Sequence, residues 1–212
     1  MKLKKLLFGG LLFTAFSLTA LQSNAQAGRF GVNAGVNFSN ITGKDADNVM
    51  GNGSLKTGFQ AGITYDIGIA DDFVIQPGLS FVQNGAKYKY EGTLEEMVGN
   101  PSIHLNYLQL PVTFQYQPEL GNGHLLLGVG PYVGMGVGKV KYASDNGDSK
   151  LDWDQARYKK FDAGGKLLAG YQLSNGLSLN LNANLGLVKL RDIDNPPTIN
   201  NTSFGVTVGY KF

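Results

Sequence analysis

The sequence predicts an all-β protein: an eight-stranded antiparallel up-and-down transmembrane β-barrel behind a cleaved signal peptide. Three observations predict it. Eight segments alternate apolar and polar residues with a period of two. The connections between them run long, short, long, short, long, short, long, the order of a barrel with turns at one end and loops at the other. Only 16% of the 212 residues are charged and 30 are Gly, against about 25% charged in an ordinary soluble domain.

Residues 1–25 read as an export signal. Lys2, Lys4 and Lys5 precede an apolar run from Leu6 to Leu21, and Ser23-Asn24-Ala25 offers a small-x-small cleavage site. The run is shorter than the roughly 20 residues of a spanning helix. Cleavage after Ala25 leaves residues 26–212 as one barrel domain. It also removes three of the 18 basic residues and no acid, leaving 15 basic and 16 acidic. No basic surplus remains for nucleic acid. With no Cys, a disulfide framework, a thiolate metal site and a lipid-anchoring Cys are excluded. Two His leave little for acid–base or metal chemistry, and no cofactor is expected.

The first strand sets Phe30, Val32, Ala34, Val36 and Phe38 against Gly31, Asn33, Gly35 and Asn37. The second sets Phe59, Ala61, Ile63, Tyr65 and Ile67 against Gln60, Gly62, Thr64 and Asp66. The third, less clean, carries Phe73, Ile75, Pro77, Leu79 and Phe81, and the fourth Leu108, Leu110, Val112, Phe114 and Tyr116. Leu120–Gly138 has no charge and could be mistaken for a membrane helix. It holds seven Gly and a Pro, and from Gly128 onward the Gly keep one parity, so it is the fifth strand. The sixth runs from Ala163 to Leu173, broken in pattern at Leu168. The seventh alternates Leu177 to Leu187 with Ser178, Asn180, Asn182 and Asn184, and the eighth ends the chain with Phe204, Val206, Val208, Tyr210 and Phe212. Residues 70–72, 118–123 and 174–176 are tight turns; residues 41–55, 91–103, 143–160 and 189–202 are long polar loops.

A water-facing surface would carry many Lys and Glu. Here the polar face is mostly Gly, Ser, Asn, Thr and Gln, which suits the narrow interior of eight strands. The apolar face therefore points to lipid, where a charge at the midplane would cost about 2–4 kcal/mol. Aromatic girdles are expected at both ends: Phe30, Tyr65, Phe73, Tyr116, Tyr171, Tyr210 and Phe212 at the turn end, and Phe38, Phe59, Phe81, Phe161 and Phe204 at the loop end. Inward charges should form a lumen network, Asp66 pairing with Arg29, Lys211 or both, with Lys166 higher up beside Tyr132, Asn182 or Asn184. The location expected is the outer membrane, both termini in the periplasm.

Gly31–Asn37, Tyr107-Leu108-Gln109-Leu110-Pro111, Gly130–Gly134 and the closing Gly209-Tyr210-Lys211-Phe212 together resemble the PorT-type family of bacterial outer-membrane β-barrel domains. The resemblance implies the barrel class rather than an activity. It implies that Val208, Tyr210 and Phe212 form a terminal signal read by the barrel-insertion machinery. It also raises type IX secretion, the association of the family's namesake.

Catalysis has one candidate pair, Ser102 and His104, with Glu91, Glu95 and Glu96 in the preceding loop. Asp145, Asp148, Asp152 and Asp154 could ligate Ca²⁺, but their spacing does not match an EF-hand. The function expected is a non-enzymatic barrel embedded in outer-membrane lipid. Its loops would mediate surface interaction or envelope integrity through an extracellular partner. The alternatives are an accessory part of a secretion machine and a small-solute conduit.

Overall fold

The computed structural model describes residues 28–44, 54–87, 101–144, 147–195 and 197–212. The signal peptide expected over residues 1–25 lies outside these. Eight long antiparallel strands form the wall: β1 (Arg29–Thr42), β2 (Lys56–Ala70), β3 (Phe73–Lys87), β4 (Ser102–Tyr116), β6 (Gly123–Gly136), β9 (Phe161–Leu173), β10 (Leu177–Gly186) and β11 (Asn200–Lys211). Each pairs with its neighbour in the chain, β4 reaches β6, and β11 returns to β1 over twelve residue pairs from Gly31↔Lys211 to Thr42↔Asn200. The sheet is closed. Three short strands add to these eight: β5 (Glu119–Leu120) at the turn end, and the hairpin β7 (Val140–Ser144) with β8 (Gly147–Leu151) at the loop end.

The tight turns fall where the sequence puts them, at Asp71-Asp72, Gly121-Asn122 and Ser174–Gly176. Gly176 takes a φ of 89°, a conformation that glycine adopts without steric cost. The loop between β6 and β9, expected to be polar and irregular, instead extends the wall: β7 continues β6 after a break at residues 137–139 and pairs with Ser102–His104 of β4.

Along most of each strand the outward face is apolar and the inward face polar, as in Leu177–Gly186, where Leu179 and Leu181 are exposed and Ser178, Asn180, Asn182 and Asn184 are buried. Near the loop end this relation reverses without any slip of parity. On β4, Leu108 to Tyr116 point outward and Gln109, Thr113 and Gln115 inward; above them His104 and Asn106 face outward while Ile103, Leu105 and Tyr107 are buried inside. On β1 the change comes between Phe38 and Ile41, and on β3 beyond Phe81. A line of cross-strand neighbours marks the level: Phe38↔Phe204, Phe81↔Leu108, Leu108↔Met135 and Met135↔Phe161. Below it the wall is dressed for hydrocarbon; above it, for water.

Of the aromatics expected to ring the two ends, Phe30, Phe38, Phe59, Phe73, Tyr116, Phe161, Tyr210, Phe204 and Phe212 are exposed, while Tyr65, Phe81 and Tyr171 are half-buried. Three pairs cross strands: Phe30 with Tyr65 (ring centroids 4.7 Å) and Phe73 with Tyr116 (5.0 Å) at the turn end, and Phe59 with Phe81 (5.4 Å) at the loop end; Tyr210 and Phe212 meet along the end of β11 (5.1 Å).

A closed ladder satisfies every wall N–H internally and resists detergent. Unboiled protein in mild detergent is therefore expected to migrate differently from boiled protein on a denaturing gel. Identical mobility would contradict closure.

Candidate functional site: a lumen sealed at both ends

At the turn end five side chains close a ring across the lumen. Asp66 on β2 accepts from Lys211 Nζ on β11 and from Gln76 Nε2 on β3 (2.5 Å). Gln115 Nε2 donates to Gln76 Oε1 (2.7 Å), Gln117 Nε2 donates to Gln115 Oε1 (2.7 Å), and Lys211 Nζ donates to Gln117 Oε1 (3.4 Å). Lys211 and Asp66 are only 9% and 8% exposed as side chains. Two of the four residues expected in one charge network are thus joined, and two are not. Arg29 faces Asp66 across the β1–β2 register but is exposed at the mouth, where water solvates it, and it makes no ion pair among the described residues. It lines an outer vestibule of about 410 Å³ with Asp71, Asp72, Glu119 and His124. Lys166 belongs to the far wall, opposite Gly130 and Asn184, and takes no part in the ring.

The glutamines escaped sequence reading because uncharged residues give no pairing signal. Their inward parity beside Asp66 was the available clue.

At the loop end an apolar core fills the mouth. Ile103, Leu105 and Tyr107 of β4 meet Ile41, Ala86, Val140 and Ile199 from the rim, and the chain after β8 lays Trp153, Ala156 and Tyr158 on top with Leu190. Trp153 is 1% exposed, donates from its indole to Gly138 O (3.0 Å), and packs on Gly136, where any side chain would collide with the ring. Arg191 stacks on Tyr158 at 4.9 Å. The segment read from sequence as a hydrated loop therefore carries the chain's one Trp into a dry core. Beneath it Asp162 accepts from Tyr132 (3.3 Å) and Asn201 (3.2 Å).

Between the two closures lies a small polar cavity of about 50 Å³, lined by Lys166, Lys211, Asn180, Asn182, Thr207 and their neighbours.

Outside the wall, above the apolar band, Ser102 Oγ lies 3.2 Å from His104 Nε2. Burial, with Lys56 and Lys141 nearby, holds the imidazole well below its usual range, at about 4. A nucleophile and a neutral base are present, but no described carboxylate orients the ring: Asp148 is paired with Lys141 at 2.6 Å. Glu91, Glu95 and Glu96 lie outside the described residues. The acids weighed for Ca²⁺ diverge. Asp148, Asp152 and Asp154 each face a different lysine (Lys141, Lys139 and Lys160), and Asp145 lies outside the described residues. Among the described residues no group of three acids or histidines could hold a metal ion.

A family model described as "Outer membrane protein beta-barrel domain" matches residues 22–192. The chain belongs to that family. Its place is the outer membrane, with the apolar band in the hydrocarbon. No curated protein matches the sequence. Among solved structures the barrel is similar to the attachment invasion locus protein Ail of Yersinia pestis (16% identity, TM-score 0.45, covering 88% of this chain and all of that one). It is also similar to Neisserial surface protein A (11%, 0.48, 88% and 100%) and to OprG of Pseudomonas aeruginosa (15%, 0.46, 88% and 97%).

Two substitutions separate the closures of this outer-membrane barrel. Trp153→Ala should open a cavity in the loop-end core and cost about 3–5 kcal/mol, read as a lower unfolding midpoint in urea. An unchanged midpoint would contradict a packed cap. Asp66→Ala leaves Lys211 buried without its partner, a loss of about 3–5 kcal/mol, and should give transient openings in planar-bilayer recordings. A silent, equally stable variant would contradict the ring.

Proposed function

We propose that the protein is a closed, non-enzymatic outer-membrane barrel that presents a rigid crown to the cell exterior, where it contacts a surface partner. Both termini then lie in the periplasm. The loop-end core carries this reading. Trp153, Tyr158, Leu190 and Ile199 pack the described parts of the β8–β9 and β10–β11 connections onto the wall, so the exposed polar residues they carry are pre-organised, which lowers the ordering cost of binding. Short turns beside the termini and long connections at the other end fit the usual periplasmic and extracellular assignment. Closure at both ends weighs against a solute conduit. A Ser–His pair with no orienting acid among the described residues weighs against hydrolysis. The aromatic pairs at both ends would seat the barrel in outer-membrane lipid, and the exposed Val208, Tyr210 and Phe212 fit the terminal signal for insertion. The likeness of Tyr107–Pro111 and Gly209–Phe212 to the PorT-type family supports a second reading, an accessory of a secretion machine.

Orientation and contact are tested together. Cysteine at Asp148 should react with an impermeant thiol reagent on intact cells, and cysteine at Asp71 only after the outer membrane is opened. The reverse labelling would overturn the orientation. A photoreactive residue at Asp148 or Arg157 should give discrete crosslinked species on living cells, distinct from any formed at Asp71. Crown positions that never crosslink would overturn the surface role, and crosslinks to secretion-machine subunits alone would favour the second reading.

A further inference from the structure

Five charged side chains point inward from the described strands: Lys56, Asp66, Asp162, Lys166 and Lys211. Asp66 and Lys211 answer each other in the turn-end ring. Asp162 accepts from Tyr132 and Asn201. Lys56 lies three residues beyond the segment 45–53, which is outside the described residues, and is set aside. Lys166 remains. It is 9% exposed, it lines the 50 Å³ cavity, and among the described residues it makes neither an ion pair nor a hydrogen bond. The nearest carboxylate on its own strand, Asp162, is four residues away, about 13 Å at 3.3 Å per residue. An ammonium buried without a counter-charge is strongly disfavoured.

We propose that the closed lumen holds a small inorganic anion of halide size, with Lys166 as its cation. Two neighbours are set to help. Asn180 donates its amide to Ser178 Oγ (3.1 Å) and Asn182 donates to Thr207 Oγ1 (3.0 Å). Each hydroxyl therefore accepts one bond and keeps its own proton to give. Ser178 and Thr207 line the same cavity as Lys166. An ammonium and two hydroxyl donors thus line one polar cavity. Size sets the class. A space of about 50 Å³ takes a small ion with a few waters and no nucleotide or sugar. Lys211, which also lines the cavity, is already matched by Asp66 and leaves the excess charge with Lys166. The anion answers the charge of Lys166, which no described carboxylate faces. The inference rests on the closed lumen and not on the crown's partner, so the two readings fail separately.

The test uses the full mature chain, refolded and crystallised in sodium bromide. An anomalous peak is expected within hydrogen-bond reach of Lys166 Nζ. It should vanish in Lys166→Gln and persist in the surface control Lys150→Gln. In detergent, refolding in gluconate instead of chloride at equal ionic strength should lower the unfolding temperature of the wild type by a few degrees and leave Lys166→Gln unmoved. A wild-type map with only waters at Nζ, or with Nζ bonded to the carbonyl of Asn180, would overturn the proposal, as would bromide peaks confined to the surface. If Lys166→Gln does not insert, Lys166→Met replaces it, and the wild-type map decides in either case.

Discussion

Everything in this molecule follows from the pairing of β1 with β11. In hydrocarbon no water answers a free N–H or C=O, so a sheet can cross only when its first and last strands meet. Eight strands closed in this way enclose a narrow space that side chains nearly fill. That width selects the inward residues. Gly130 stands where any Cβ would strike the backbone of Val112 on the neighbouring strand, and Asn, Ser, Thr and Gln take many of the other inward positions. Closure also sets the turn-end ring. β11, β1 and β2 lie side by side only because the sheet joins, and Lys211 reaches Asp66 across that seam.

The second constraint is the height at which solvent changes. On β1, β3 and β4 the parity holds through the loop end, yet the chemistry of the two faces exchanges near Phe38, Phe81 and Leu108. Below that level an outward Leu meets lipid and an inward Gln meets the polar lumen. Above it, water surrounds the wall, and the hydrophobic effect again drives apolar groups inward. Strands such as β4, with 15 residues where about 9–11 suffice to cross, are long because they serve both regimes. The upper part of the barrel is in effect a small water-soluble core built on a membrane foundation.

The lower part was legible in the sequence and the upper part was not, for a physical reason. Alternation at period two reports a strand with one wet and one dry face, and the eight lipid-facing segments show it, the third and sixth less cleanly than the rest. Parity and closure together were enough to bring Asp66 and Lys211 to one point. They could not choose between Lys211 and Arg29, because that choice depends on which side chain stays inside and which reaches water. Ile103, Leu105 and Tyr107 carry the same period in opposite phase, so a phase set by Leu108 gave no sign that they form a buried face. Trp153 lies in a segment with no period at all. Its burial is a tertiary event, fixed by Gly136 and by the rim around it. Lys166 was legible as a lone inward cation, but its lack of a partner becomes visible only when the far wall is in place.

The chain's single Trp makes the exchange of faces directly measurable. In liposomes, Trp153 should emit at short wavelength and be protected both from aqueous iodide and from lipids brominated along their acyl chains, because it sits in a dry protein core above the hydrocarbon. Strong quenching by the brominated lipids, or free quenching by iodide, would contradict the account.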